Sequence, residues 1–136
     1  MNVQAFEELK RVLSGIPYGD FNITNWRSCA CGHATRDPWF QSQGFTSCHS
    51  FIDAAAFFGI SRREAIRVFH GHRLHGPNAV IQRIDALLSA YQAEVAKQEL
   101  EQHKNRQAII DDLLAKANRA AQRMRKVATA LIAALF

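Results

Sequence analysis

Residues 46–70 read TSCHSFIDAAAFFGISRREAIRVFH, and two helices joined by a tight turn account for the whole string. Phe51, Ala54, Ala55 and Phe58 recur at helical spacing, and Thr46 or Ser47 stands ahead of them as a side-chain cap. Gly59 stops the first helix in the left-handed conformation that only glycine adopts cheaply. Ser61-Arg62-Arg63-Glu64 is a capping box, with the glutamate placed to satisfy the serine backbone N–H. The second helix is expected to bury Ala65, Ile66 and Phe69 and to break at Gly71 or at Gly76-Pro77.

The same signals extend toward the N-terminus. Val3, Phe6, Leu9, Val12 and Leu13 share one helical face, and Gly15 with Pro17 ends that helix. Tyr18–Asn25 alternates Phe21 and Ile23 with polar residues, but it is too short and isolated for a sheet and reads as an extended connector. Trp26–Thr35 carries a cysteine cluster on a short helix closed at Gly32 or just beyond it. Asp37-Pro38 starts another helix, with Asp as the cap and Pro in the first helical position.

Toward the C-terminus, Asn78–Phe136 is 59 residues without Gly or Pro. Val80, Ile84, Leu87, Leu88, Tyr91 and Val95 form one apolar stripe, and residues 96–108 are then nearly all polar. The stripe resumes in heptads. Ile110, Ala117, Met124 and Leu131 repeat every seven residues, as do Leu113, Ala120, Val127 and Ala134, and Leu114 widens the face. The expectation is an all-α chain: a compact multi-helix head over 1–77, then 78–136 as one helix of roughly 80 Å or a hairpin bent within 96–108.

Charge and composition narrow the function classes. The formal net charge is +5, and Leu113–Phe136 holds Lys116, Arg119, Arg123, Arg125 and Lys126 with no acidic residue, which favours anionic partners or a helix C-terminus. Residues 1–15 are amphipathic and charged, unlike a signal peptide. The longest apolar run, Val127–Phe136, falls short of the about 20 residues that span a bilayer. All three cysteines lie within Cys29–Cys48, unlike a secreted disulfide framework, and a cytoplasmic location is expected.

Cys29-Ala-Cys31-Gly-His33 and Cys48-His49 bring together thiolate and imidazole ligands suited to zinc. Cys29, Cys31, His33 and Cys48 would make a four-ligand set, with His49 as a substitute or supporting partner. The alternative is small buried cysteines packed beside Trp26 and Trp39. A cysteine activated by His33 or His49 would be a nucleophile, yet no Gly-rich oxyanion or phosphate loop and no carboxylate pair accompanies it, so no catalytic residue is assigned. His70-Gly-His72-Arg-Leu-His75 could bind metal or cap a helix end. Read as a helix-turn-helix, residues 47–70 would place Arg62, Arg63 and Arg67 toward nucleic-acid phosphates or guanine edges.

Phe21-Asn-Ile-Thr-Asn-Trp26, Cys29-Ala-Cys-Gly-His-Ala34, Asp37-Pro-Trp-Phe40 and Phe57-Phe-Gly-Ile-Ser61 together resemble a loose group of short all-α proteins of α-proteobacteria and their phages, a group without an established activity. The likeness covers about residues 5–90 and leaves out the tail. Ile23 stands where the group has Met, and the cysteine stretch lacks a Gly-Thr between its cysteines. The resemblance implies an all-α head and a bacterial or phage source.

The reading that follows is a non-enzymatic protein-interaction or regulatory module of bacterial or phage origin. It would dimerise or dock on a protein partner through Ile110, Leu113, Leu114, Ala117, Met124, Val127 and Leu131. The alternatives are a helix-turn-helix DNA-binding protein and a small zinc-stabilised binding domain.

Overall fold

The computed structural model describes residues 1–70 and 76–135. They form six α-helices: α1 (Val3–Ser14), α2 (Ala30–Ala34), α3 (Pro38–Ser42), α4 (Phe51–Phe58), α5 (Arg62–Phe69) and α6 (Pro77–Leu135), with no strand among the described residues. The all-α class holds.

Several helix boundaries follow from single side chains. Asn2 caps α1 by accepting from the Ala5 N–H at 3.1 Å. Asp37 caps α3 by accepting from the Trp39 N–H at 2.9 Å, with Pro38 in the first turn. Gly59 ends α4 at φ 62°, and the Ser61–Glu64 capping box that opens α5 is present in both directions. The Ser50 hydroxyl starts α4 by accepting from the Asp53 N–H at 3.2 Å, and Asp53 accepts in turn from the His49 N–H at 3.0 Å. The cap is therefore Ser50, not Thr46 or Ser47.

One local expectation changes. The segment 18–25 is folded into turns instead of running extended. A 3-10 turn occupies Tyr18–Asp20, then Asn22 Oδ1 accepts from the Thr24 N–H and Asn25 Oδ1 from the Arg27 N–H. These side-chain turns satisfy a backbone that has no sheet to join. As the second of the two expected positions has it, α2 closes just beyond Gly32, at Ala34. A Cβ on Gly32 would stand 2.1 Å from the Trp26 carbonyl oxygen, so the missing side chain lets α2 press against the 26–27 backbone.

The head core is aromatic. Phe58 is fully buried, with ring centroids 4.7 Å from Phe6, 5.3 Å from Phe69 and 5.9 Å from Phe45. Phe40 also contacts Phe45, Phe57 and Phe58. Leu9 and Leu13 of α1 and Ala54 and Ala55 of α4 fill the space around these rings. On α5 the buried residues are Ala65, Val68 and Phe69, while Ile66 is half-buried. Val80, Ile84 and Leu88 from the first part of α6 belong to the same core. The compact unit accordingly runs from Met1 to Tyr91 and does not stop at residue 77. Lys10 of α1 ties this part of α6 down through Asp85 at 2.7 Å, and Arg11 joins α1 to the α3 cap Asp37 at 2.8 Å.

The second unit is Gln92–Phe136. Helix hydrogen bonding runs without a break through 96–108, so no hairpin forms there. Residues 92–135 extend roughly 66 Å at about 1.5 Å per residue. No described residue after Leu88 is buried, and from 96 to 134 only Ala121 is even partly covered. No described helix is long and apolar enough to cross a membrane.

Candidate functional site

The three cysteines are buried free thiols in the head. Cys31 lies on α2 and Cys48 on the segment leading into α4, and each perturbs the other's thiol. Cys48 can pass its own proton toward the Ser50 carbonyl, 3.6 Å away. Cys48, then burial, hold the Cys31 thiol well above the ordinary cysteine range, whereas Cys31 draws Cys48 below it against the opposing effect of burial. Cys29 has a different hydrogen-bond partner. Its Sγ donates to the Trp26 carbonyl at 3.6 Å, and burial raises its thiol.

His33 does not join the cysteines as a ligand. Its Nε2 lies 3.1 Å from the Asp20 carbonyl oxygen and its Nδ1 is 3.2 Å from the Arg36 guanidinium. The pairing assigns a proton to Nε2 and the acceptor lone pair to Nδ1, which leaves neither nitrogen open to a metal. Among the described residues no group of three or more His, Cys, Asp and Glu is placed to hold a metal ion. The set Cys29, Cys31, His33 and Cys48 is thus not gathered into a zinc centre. The physical reason is local: the His33 ring is held by the Asp20 carbonyl and the Arg36 guanidinium instead. Neither His33 nor His49 is hydrogen-bonded to a cysteine among the described residues, so the expected Cys–His dyad is not formed. The expected cluster His70, His72 and His75 lies largely outside the described residues.

A polar cavity of about 880 Å³ opens beside Cys48. Arg27, Arg36, Thr35, Ser47 and His49 line it, and no carboxylate does. Arg36 is anchored by donating to the Arg27 carbonyl at 2.7 Å, which fixes one wall. Sequence reading identified the cysteines and His49 but missed the two arginines. Arg27 and Arg36 are nine positions apart across a turn and a short helix, and no periodicity joins them. Cys29 lines a smaller, largely apolar cavity of about 380 Å³ with Ile23, Trp26, Phe51 and Phe69.

Two further expected surfaces take these forms. Arg62, Arg63 and Arg67 are exposed on α5, and none enters a salt bridge among the described residues. Arg83 of α6 donates to the Arg67 and His70 carbonyls and so covers the C-terminal end of α5. On α6, Ile110, Leu113, Leu114, Met124, Val127 and Leu131 are between 49% and 67% exposed. Ala117, at the same face, is exposed as well. No family model, curated protein or solved structure matches this chain.

Proposed function

We propose that this chain is a non-enzymatic interaction module of bacterial or phage origin that self-associates through the distal part of α6. The observation that carries the reading is the heptad face of Ile110, Leu113, Leu114, Ala117, Met124, Val127 and Leu131, solvent-exposed on a helix that contains no breaker. Leaving such a stripe in water is costly at about 25 cal/mol per Å² of apolar surface, and monomers rarely keep one uncovered. Regular heptads fit a second helix with the same spacing, which a second copy supplies. Alanines at 117, 120, 128 and 134 allow close backbone approach. Lys116, Arg119, Arg123 and Lys126 recur at helical spacing on a separate stripe, so the charges need not be buried in the contact. The head, with its own core, would then present its surfaces in duplicate.

The test is the molar mass of the full chain by light scattering across a concentration series. A dimer or higher oligomer is expected, and the double variant Leu113→Asp, Leu131→Asp is expected to weaken association by at least about tenfold, since each buried charge costs several kcal/mol. A strictly monomeric protein at every concentration would overturn the reading.

A second reading, DNA binding, is favoured by one observation: Arg62, Arg63 and Arg67 remain exposed on the second helix of a Gly-turned pair. It requires duplex affinity that falls steeply with salt, by about 0.9 log units per log unit of salt for each phosphate neutralised. An Arg63→Ala variant that binds duplex DNA as tightly as the parent would eliminate it.

A further inference from the structure

We propose that the polar cavity beside Cys48 is a binding site for a small molecule that carries a phosphate monoester. All of its lining residues belong to the head, so the proposal does not depend on how the α6 tail is used. Three stretches wall it: the turns of 22–27, residues 32–36 and residues 46–49. Its volume of about 880 Å³ falls within the roughly 300–1,000 Å³ of small-molecule sites.

The hydrogen bonds inside these walls consume acceptors and leave donors over. Asn22 Oδ1 accepts from the Thr24 N–H and hydroxyl, and Asn25 Oδ1 accepts from the Arg27 N–H. Both turns use the amide oxygen, so each asparagine keeps an NH2 group with no acceptor among the described residues. Arg36 is held in place by donating to the Arg27 carbonyl at 2.7 Å and by His33 Nδ1 at 3.2 Å, while the rest of its N–H fork stays open. The Arg27 guanidinium makes no hydrogen bond or ion pair among the described residues. Arg11, in the same head, is by contrast matched by Glu8 and Asp37.

The charge is unmatched in the same sense. Two guanidinium groups, which stay protonated at any ordinary pH, line the cavity with the His49 imidazole and no carboxylate. The carboxylates next in sequence to its walls are turned to other donors: Asp37 to Arg11 and the Trp39 N–H, Asp53 to the His49 N–H. An anion with many acceptor oxygens satisfies such a wall. A phosphate monoester offers three terminal oxygens and nearly two negative charges, whereas a carboxylate offers two oxygens and one. A bare phosphate would leave most of the volume empty. Trp26, 37% exposed and braced by the Phe51 ring at 5.4 Å, gives the organic part of the ester an apolar surface.

The experiment is a calorimetric titration of the full chain with inorganic phosphate and with adenosine monophosphate, at one fixed ionic strength. Saturable binding of at least one is expected. Acetate and adenosine, titrated in the same way, present a carboxylate and a nucleoside without phosphate, and each is expected to bind at least about tenfold more weakly. Arg27→Gln is the decisive variant, because its guanidinium holds nothing within the chain. Its affinity for the phosphate probe is expected to fall by about tenfold or more with an unchanged circular dichroism spectrum. Should it fail to fold, the preference of the parent for phosphate over acetate decides alone. Arg62→Gln removes an exposed cation on α5 that does not line the cavity, and it should bind like the parent. The proposal is overturned by no saturable binding of either phosphate probe, by acetate or adenosine binding as tightly, by a folded Arg27→Gln that binds unchanged, or by an equal loss in Arg62→Gln.

Discussion

At the scale of single residues, close approach governs what the chain tolerates. Gly32 is held in α2 because its α-carbon sits where a methyl group would meet the Trp26 and Arg27 backbone at 2.1–2.6 Å. Backbone cannot rotate aside as a side chain can. Gly32→Ala is therefore expected to destabilise the head by about 1–3 kcal/mol or more, the range for overpacking a tight site. The expected readout is a lower urea midpoint with an unchanged slope. Phe58→Ala tests the other direction. It removes a fully buried ring that touches Phe6, Phe40 and Phe69, and a loss of about 3–5 kcal/mol is expected. The aromatic identity of the core was legible in the sequence, since eight of the nine Phe precede residue 70. The role of Gly32 was not. A glycine in a short helix looks like a terminator until the neighbouring turn is seen to need the space. The cysteines were legible as a cluster, but not that Cys48 lines one cavity and Cys29 another, because the fold and not their spacing separates them.

At the scale of elements, the α4–α5 pair was the most legible part of the chain because its determinants are local. Gly59 supplies the left-handed turn, and Ser61 with Glu64 closes the cap within four residues. The missed start of α4 has the same logic in reverse. Three hydroxyls, at Thr46, Ser47 and Ser50, compete for one cap position, and Asp53 decides for Ser50 by accepting from the His49 N–H. Ser61→Ala is expected to cost about 1 kcal/mol, read in thermal unfolding. The same box predicts a pH dependence. Hydrogen bonds from the Ser61 hydroxyl and backbone N–H hold the Glu64 carboxyl below its ordinary value of 4.5. A depressed folded value means the contribution is complete above about 4.5 and is lost as pH falls through the folded value. Stability measured between neutral and acid pH should therefore decline less steeply in Glu64→Gln than in the parent over that interval, from a lower neutral starting point.

At the scale of the whole molecule, the chain divides at Tyr91 into parts that depend on different physics. The head has a core that includes Val80, Ile84 and Leu88, so a boundary drawn where the sequence loses its glycines and prolines falls too early. Helix α6 begins inside one folding unit and ends in another. Beyond Leu88 no described residue is buried, so the distal helix is held by backbone hydrogen bonds, propensity and pairs such as Asp112–Lys116 at 2.7 Å. An i,i+4 pair of this kind contributes about 0.3–0.5 kcal/mol. Such a helix opens at little cost, because each lost turn exposes no core. Amides of 96–134 in an isolated chain should therefore exchange hydrogen far faster than those of α1 or α4. Self-association changes that prediction by mass action, since a partner helix that binds only the folded form adds RT ln(1 + [L]/Kd) to its stability. Exchange through 109–134 should then slow as protein concentration rises, while α1 and α4 stay constant. Leu113→Asp, Leu131→Asp should erase the concentration dependence without altering exchange in the head. Protection in 109–134 that is high and independent of concentration would mean that the stripe is already covered within one chain.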